Sequence, residues 1–160
     1  MFKPLCIISL LAGLAGSFSC SSTLYLVRHA EKTAEAQDPG LTVAGKERAE
    51  TLARLLAPKN MQEIWSTSYR RTLLTAEPLR AQTQLPVQTY RNLDSLATAL
   101  RTAGKNALVV GHSNTTPDLA RKLGVSPSME LIPDSSYNLL FIVRIPRNPI
   151  GKPRLKETTY

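Results

Sequence analysis

The sequence predicts an α/β fold, a three-layer α/β/α sandwich with a mostly parallel central sheet. Short apolar runs alternate with segments of helical periodicity along most of the 160 residues, a pattern typical of strand–helix repeats. The clearest strand, residues 107–110 (ALVV), is apolar throughout, as expected when helices cover both faces of a sheet. A chain of this length suits one domain with a single core.

Local signals place the individual elements. Thr42 has the side chain of an N-cap for the first helix, and Pro58 ends that helix because proline lacks an amide hydrogen. Pro78 predicts a kink or an end in the second helix, and Gly124 predicts a stop after the fourth. The predicted strands are residues 23–27, 64–65, 86–90, 107–110 and 137–145. The predicted helices are residues 43–56, 69–81, 93–103 and 116–123.

The first 20 residues have the layout of a secretory signal peptide. Lys3 precedes an apolar run over residues 5–14, and small residues follow up to Cys20. The apolar run is too short for a comfortable bilayer span. We therefore expect an exported, periplasmic protein whose domain covers residues 22–160. The alternative, a buried N-terminal helix, is disfavoured by the glycines and serines that follow the apolar run.

The cleavage site decides whether the protein is attached to a membrane. Cleavage after Ser19 would make Cys20 the first mature residue, as in bacterial lipoproteins, whereas cleavage after Ser21 would remove it. The residues before Cys20 lack the usual leucine of a lipobox, so both outcomes stay open. Because no cysteine follows Cys20, we expect no internal disulfide, no cysteine nucleophile and no thiolate metal site.

The chain is basic, with a formal net charge of +8. Such a charge suits nucleic acid, anionic lipid or a small phosphorylated substrate. Aromatic residues make up only 6% of the chain and do not interleave with a basic stripe, so we expect no nucleic-acid partner. Much of the excess charge lies in residues 144–156, which we interpret as a solvated tail.

Each of the two histidines directly follows a predicted strand. Arg28 and His29 follow the first strand, and Gly111 and His112 follow the fourth. Ligands in α/β sheets bind outside the carboxyl ends of the strands, so the two imidazoles can share one site. Taken alone, these positions are equally compatible with two unrelated structural histidines.

Four short motifs occur in a distinctive order: LVRHAEK, LTxxGxxRA, WSTSYRRTLLTA and VVGHSN. Together they resemble the histidine phosphatase superfamily, the phosphoglycerate-mutase-like enzymes, over nearly the whole predicted domain. The chain has no room for the large insertions of bigger members, so it is similar to the compact, cap-free branch. It differs from the commonest signature at Ala30, where many members have glycine, and at Thr67, where many have serine.

The resemblance implies a phosphatase that transfers a phosphoryl group to His29 and then to water, with no metal and no cofactor. Arg28 would hold phosphate oxygens, and the Thr-Ala pair four residues downstream assigns the second phosphate-binding role to Arg71, with Arg70 as the alternative. His112 would be the second histidine of the site. Arginine suits this task because its planar fork meets phosphate oxygens in pairs.

The resemblance places the remaining roles more loosely. Asp94 is our candidate for the proton donor and Glu31 is its rival, although Asp94 also has the side chain of a helix cap. Ser113 and Asn114 would contact substrate or merely form a turn.

The composition of the predicted site narrows the function. Its two arginines would oppose protonation of the nucleophile and repel a metal cation, and no glycine-rich nucleotide loop occurs. We expect a metal-independent phosphomonoesterase acting on an extracytoplasmic substrate. The alternatives are a phosphoryl-transferring mutase and a non-catalytic protein that binds a phosphorylated or anionic ligand.

Overall fold

A computed structural model describes residues 21–148 and 150–160 of the chain. The predicted signal peptide, residues 1–20, lies outside the described residues. In chain order the elements are β1 (Ser21–Arg28), α1 (Val43–Leu56), β2 (Glu63–Ser66), α2 (Arg70–Thr83), β3 (Val87–Thr89), α3 (Leu93–Ala103), β4 (Ala107–Gly111), α4 (Thr115–Lys122), β5 (Leu139–Pro146) and β6 (Arg154–Thr159). None of these helices is long and apolar enough to cross a membrane.

The strands form one six-stranded sheet in the order β3-β2-β4-β1-β5-β6. The pairs β3–β2, β2–β4 and β4–β1 are parallel, whereas β5 is antiparallel to both β1 and β6. Of the described strands, β5 alone therefore runs against the others. The prediction of a mostly parallel central sheet is confirmed.

Helices cover both faces of the sheet, which confirms the three-layer arrangement. On one face α3 and α4 pack against β1 through apolar side chains that include Leu119 and Leu24. On the other face α1 and α2 pack through side chains that include Leu52 and Val27. Successive residues of a strand point to opposite faces, so β1 contributes to both cores. Burial on both sides explains why β1 and β4 are almost continuously apolar.

Local capping signals agree with the observed helix ends. The Thr42 hydroxyl accepts a hydrogen bond from the Gly45 amide at 3.0 Å, so the predicted N-cap of α1 is confirmed. Asn92, rather than Asp94, caps α3, because the Asn92 side-chain oxygen accepts from the Ser95 amide at 2.9 Å. The observed bounds of α1 and α3 match the predicted ranges.

Two expectations about the secondary structure need correction. Pro78 does not end α2, since the helix continues to Thr83, and the burial of Leu79 against the sheet favours continuation; the alternative, a kink at Pro78, stays a prediction. Residues 144–156 are not a solvated tail, because Arg154 lies in the edge strand β6, paired with β5. Charged residues on an edge strand discourage pairing with other chains, and they also obscure the strand in the sequence.

Gly45 allows α1 to approach the segment that follows β1. The Thr42 amide donates to the carbonyl oxygen of Glu31 at 2.9 Å, which brings the first turn of the helix onto that segment. A Cβ at Gly45 would meet the same Glu31 carbonyl oxygen well inside van der Waals contact. The obstacle is backbone, so a larger residue cannot be accommodated by rotation of a side chain.

We expect the Gly45→Ala substitution to lower the free energy of unfolding by about 1–3 kcal/mol, the usual effect of overpacking. Urea unfolding followed by circular dichroism measures it. Gly40→Ala is the matched control, because the nearest obstacle to its Cβ is the flexible Arg70 guanidinium at 3.4 Å. Equal stability of the two variants would contradict the proposed close approach.

Candidate active site

Parallel pairing of β1 and β4 brings the two histidines together. Arg28 is paired with Gly111, and the next amide, that of His29, donates to the Gly111 carbonyl oxygen at 2.9 Å. The His29 and His112 rings meet edge to face, with 5.6 Å between their centroids. The two imidazoles therefore occupy one site at the carboxyl ends of neighbouring strands.

The surroundings of His29 define its protonation. Its Nδ1 lies 2.8 Å from the carbonyl oxygen of Ala30. A carbonyl only accepts, so Nδ1 carries the hydrogen and Nε2 carries the lone pair. Burial is the main cause that lowers the pKa of His29 to about 4, and the positive charges of Arg28 and Arg71 add to the effect. At neutral pH the ring is a neutral imidazole with a nucleophilic nitrogen.

Thr75 connects the end of β1 to α2. Its hydroxyl accepts a hydrogen bond from the Ala30 amide at 3.0 Å and donates to the carbonyl oxygen of Arg71 at 2.8 Å. Thr75 is buried, so water does not compete for these bonds. This bridge holds the first turn of α2, and with it Arg71, beside Ala30, the residue that follows His29.

His112 is held by partners on both ring nitrogens. Nη2 of Arg71 lies 3.5 Å from its Nδ1, and the Thr67 hydroxyl lies 3.1 Å from its Nε2. Arginine only donates, so this contact requires Nδ1 to accept and Nε2 to carry the hydrogen. Burial first, then Arg71 and Arg28, lower the pKa of His112 to about 4. This second imidazole is therefore also neutral at neutral pH.

Arg28 is almost fully buried and is held by the segment that precedes β5. Its Nη1 donates to the Pro133 carbonyl oxygen at 2.8 Å, and its Nη2 contacts the Asp134 carboxylate at 3.1 Å. The guanidinium carbon also lies 4.5 Å from the centre of the Tyr137 ring. These contacts orient the guanidinium group, whose Nε is buried without a hydrogen-bond partner in the described part of the chain.

Arg71 has a corresponding environment on the other side of the site. Its guanidinium carbon lies 4.5 Å from the centre of the Tyr69 ring, and its Nε is also buried without a described partner. An unsatisfied buried donor costs about 1–3 kcal/mol. An oxyanion bound between Arg28 and Arg71 would compensate two positive charges, so the site is suited to a phosphate group.

Neither candidate proton donor contacts the histidines. The Asp94 carboxylate is 74% exposed and makes an ion pair with Lys122 at 2.6 Å. The Glu31 carboxylate is held by the Arg48 guanidinium at 2.6 Å, and this bond keeps the pKa of Glu31 below its usual range. The structure therefore does not bring Asp94 or Glu31 to the site. Over residues 21–148 and 150–160, no cluster of three or more His, Cys, Asp or Glu suits a metal ion.

The other predicted residues divide between the site and its surroundings. Arg70 faces away from the histidines, because its guanidinium pairs with Glu35 at 3.4 Å and its amide donates to Asp38 at 2.9 Å. Ser113 accepts a backbone hydrogen bond from Ile132 at 3.0 Å. Asn114 is exposed and lines a cleft that also includes His112. Their roles toward substrate stay predictions.

Sequence reasoning missed several side chains around the site. Tyr69 contacts His112 edge-on with 5.2 Å between ring centroids, and its position directly before the two arginines was the available signal. The Pro133 contact with Arg28 is made by a backbone carbonyl, which any residue supplies. No sequence pattern could therefore have identified it.

Comparison with known proteins agrees with this geometry. A family model described as the histidine phosphatase superfamily (branch 1) matches residues 24–98, the segment that carries Arg28, His29 and Arg71. This match supports assignment of the chain to the superfamily and to its phosphatase class.

One curated relative is similar to this chain over a short segment. The human 6-phosphofructo-2-kinase/fructose-2,6-bisphosphatase 4 is 34% identical over 64 residues, which cover 36% of this chain and 14% of that protein. The chain therefore spans only a small part of that relative.

Solved structures match over more of the chain. The protein histidine phosphatase SixA complexed with tungstate matches with a TM-score of 0.70 and 15% identity, over 86% of this chain and 96% of that chain. Phosphoserine phosphatase from Entamoeba histolytica, in complex with 3-phosphoglyceric acid, matches with a TM-score of 0.62 and 17% identity, over 87% and 97%. At these identities the likeness shows a shared fold.

We expect both histidines to titrate near pH 4, far below the ordinary value of about 6.5. Nuclear magnetic resonance of the untagged protein measures this directly, because the chain contains only two histidines. The Arg71→Gln substitution should raise both midpoints while leaving them below 6.5, since burial is the main cause. A midpoint at or above 6.5 for either ring in the wild type would contradict the described environment.

Proposed function

We propose that this protein is a metal-independent phosphatase that hydrolyses phosphorylated compounds through a phosphohistidine intermediate on His29. The observation that carries the proposal is a neutral imidazole whose Nε2 holds a lone pair, placed near the guanidinium groups of Arg28 and Arg71. The match to the family model supports the same reaction class.

In the first step the lone pair on His29 Nε2 attacks phosphorus. The new N–P bond forms as the bond between phosphorus and the leaving atom breaks, and the leaving group departs with that electron pair. Arg28 and Arg71 donate to the phosphoryl oxygens and stabilise their charge throughout the transfer. The Nδ1–H of His29 stays bonded to the Ala30 carbonyl oxygen, which stabilises the positive charge that develops on the ring.

In the second step water attacks the phosphorus of phosphohistidine. The N–P bond breaks, the electron pair returns to Nε2, and inorganic phosphate leaves with the oxygen of the water. A neutral histidine is thereby regenerated for the next turnover. The same donors hold the phosphoryl group in both steps, so positioning and electrostatic stabilisation supply the rate.

The positions of Asp94 and Glu31 indicate which classes of substrate the proposed site suits. Because neither Asp94 nor Glu31 contacts the histidines, the proposed site best suits leaving groups that depart without help from a carboxylic acid. The imidazole of a phosphohistidine whose other ring nitrogen carries a proton leaves as a neutral base, with a conjugate-acid pKa of about 6.5, and phenols have a pKa of about 10, so both meet this condition better than alkyl alcohols. SixA, whose fold this chain shares, is a protein histidine phosphatase. We therefore propose phosphohistidine and aryl phosphates as the favoured substrate classes.

We also propose that the enzyme acts outside the cytoplasm, on an envelope substrate. The proposal rests on the sequence of residues 1–20, which resembles a signal peptide. Cys20 directly precedes β1, whereas His29 directly follows it. A lipid attached at Cys20 would therefore leave the active site at the far end of the strand, away from the membrane.

The His29→Ala substitution should lower phosphate release from p-nitrophenyl phosphate by more than about 1,000-fold, because it removes the nucleophile. Wild-type enzyme mixed with substrate and quenched in alkali should show phosphohistidine by ³¹P spectroscopy, and the variant should not.

Arg71→Gln should lower kcat/KM by about 100-fold. Its matched control, Arg70→Gln, should lower kcat/KM less than threefold, because Arg70 pairs with Glu35.

The possible outcomes separate the competing functions. Phosphate release that survives His29→Ala would contradict the proposed nucleophile. A wild type that binds phosphate compounds without releasing phosphate would favour a binding protein. Transfer of the phosphoryl group to an added alcohol, with little release to water, would favour a mutase.

The rate should depend steeply on the leaving group. We expect kcat/KM to fall as the pKa of the leaving phenol rises across a series of aryl phosphates, and to be lowest for glycerol phosphate, because neither Asp94 nor Glu31 contacts the histidines to protonate the departing oxygen. Asp94→Asn should leave the slope of this series unchanged. If Asp94 does donate the proton, the wild-type slope will be shallow and the Asp94→Asn slope steeper.

A further inference from the structure

A cleft of about 490 Å³ opens beside the proposed phosphoryl site. His112 forms part of its wall, together with Tyr69, Arg91 and Asn114. None of the side chains that line this cleft is a carboxylate. The cleft therefore combines an aromatic surface with a positive charge, directly next to the second histidine.

Arg91, like Arg71, has no acidic partner among the described residues. Arg28, Arg48 and Arg70 each pair with a carboxylate, whereas none of the ion pairs formed by residues 21–148 and 150–160 includes Arg91. Its side chain is exposed. The positive charge is thus available to a group that enters the cleft.

The backbone at Arg91 is held on both sides. The preceding residue, Tyr90, is buried, and its hydroxyl donates to the Val110 carbonyl oxygen at 3.2 Å. The following residue, Asn92, caps α3. Arg91 therefore projects from a well-defined position between the end of β3 and the start of α3, and a ligand would not have to order the backbone.

Tyr69 supplies the wall of the cleft nearest to the chemistry. Its ring contacts His112 at 5.2 Å between centroids and carries the Arg71 guanidinium on one face. About half of the residue is nevertheless exposed, at 49%. A planar leaving group can therefore pack against Tyr69 while its phosphoryl group is held by Arg71.

The direction of phosphoryl transfer connects the cleft to the substrate. In-line attack by His29 places the leaving group on the far side of phosphorus, and the cleft is lined by His112 but not by His29. We infer that the cleft between Tyr69 and Arg91 binds the leaving group, and that the preferred substrates carry a second anionic group there, paired with Arg91. This inference rests on the proposed phosphatase function.

The test uses two aryl phosphates, and each kcat/KM is divided by the value that the aryl phosphate series gives for a leaving phenol of the same pKa, because a charged and a neutral substituent change that pKa differently. One carries a para carboxylate and the other a neutral para carboxamide. Wild-type enzyme should prefer the carboxylate by about threefold to fivefold in kcat/KM, as expected for a partly exposed ion pair. The difference should appear in KM, because the ion pair is present in both the bound ground state and the transition state.

Substitutions at Arg91 should change this preference. Arg91→Gln should reduce the ratio to about one, Arg91→Glu should reverse it, and Arg91→Lys should keep it above one. Arg154→Gln is the matched control, because Arg154 is an exposed arginine in β6 at the opposite edge of the sheet. The control removes the same charge and should keep the wild-type ratio.

The outcomes distinguish the inference from the function on which it rests. If the wild type turns over neither compound, the proposed phosphatase function fails. If it turns over both with a ratio near one, or if Arg91→Gln keeps the wild-type ratio, the anion site at Arg91 is overturned. If Arg91→Gln does not fold, the Arg91→Lys variant and loss of the wild-type preference in 1 M salt decide the question, since salt screens an exposed ion pair.

Discussion

The register between β1 and β4 is the constraint on which the site depends. It places His29 beside His112 because Arg28 is paired with Gly111. A slip of one residue would turn every side chain of a strand to the other face of the sheet. The buried pair Val27 and Val110, packed in the core with α1 and α2, makes such a slip costly. The position of the imidazoles is therefore determined by the packing of the core.

The site concentrates basic groups where burial is unfavourable for charge. Burial lowers the pKa of both imidazoles to about 4, and the two guanidinium groups, which remain charged in any accessible pH range, add to this effect. The aromatic faces of Tyr69 and Tyr137 and the Asp134 carboxylate compensate part of the arginine charge. A bound phosphate would compensate more of the arginine charge. The electrostatic free-energy cost of the uncompensated charge in the free protein therefore favours binding of an anion.

Structural features that depend on residues close in the sequence, such as helix ends, could be predicted. Thr42 caps α1 and Gly104 follows α3 in a left-handed conformation, so the bounds of both helices could be predicted. Features that depend on tertiary contacts could not be predicted from the sequence. Asp94 lies at a plausible place in the chain, but its carboxylate pairs with Lys122 of α4, and no local pattern indicates that partner. The edge strand β6 was hidden because its charged residues resemble a solvated tail.

The two parts of the site also differ in how strongly the fold constrains them. Arg28 and His29, which would hold the phosphoryl group, are buried at the end of β1, and Gly111 shows how closely the strand ends are packed. A Cβ at Gly111 would lie 2.7 Å from the Thr115 hydroxyl and 2.9 Å from the Tyr90 hydroxyl. Arg91, in contrast, is exposed in a loop, where a substitution disturbs no core contact. Phosphoryl chemistry is therefore tied to the core, whereas leaving-group recognition can change without altering the pairing of β1 with β4.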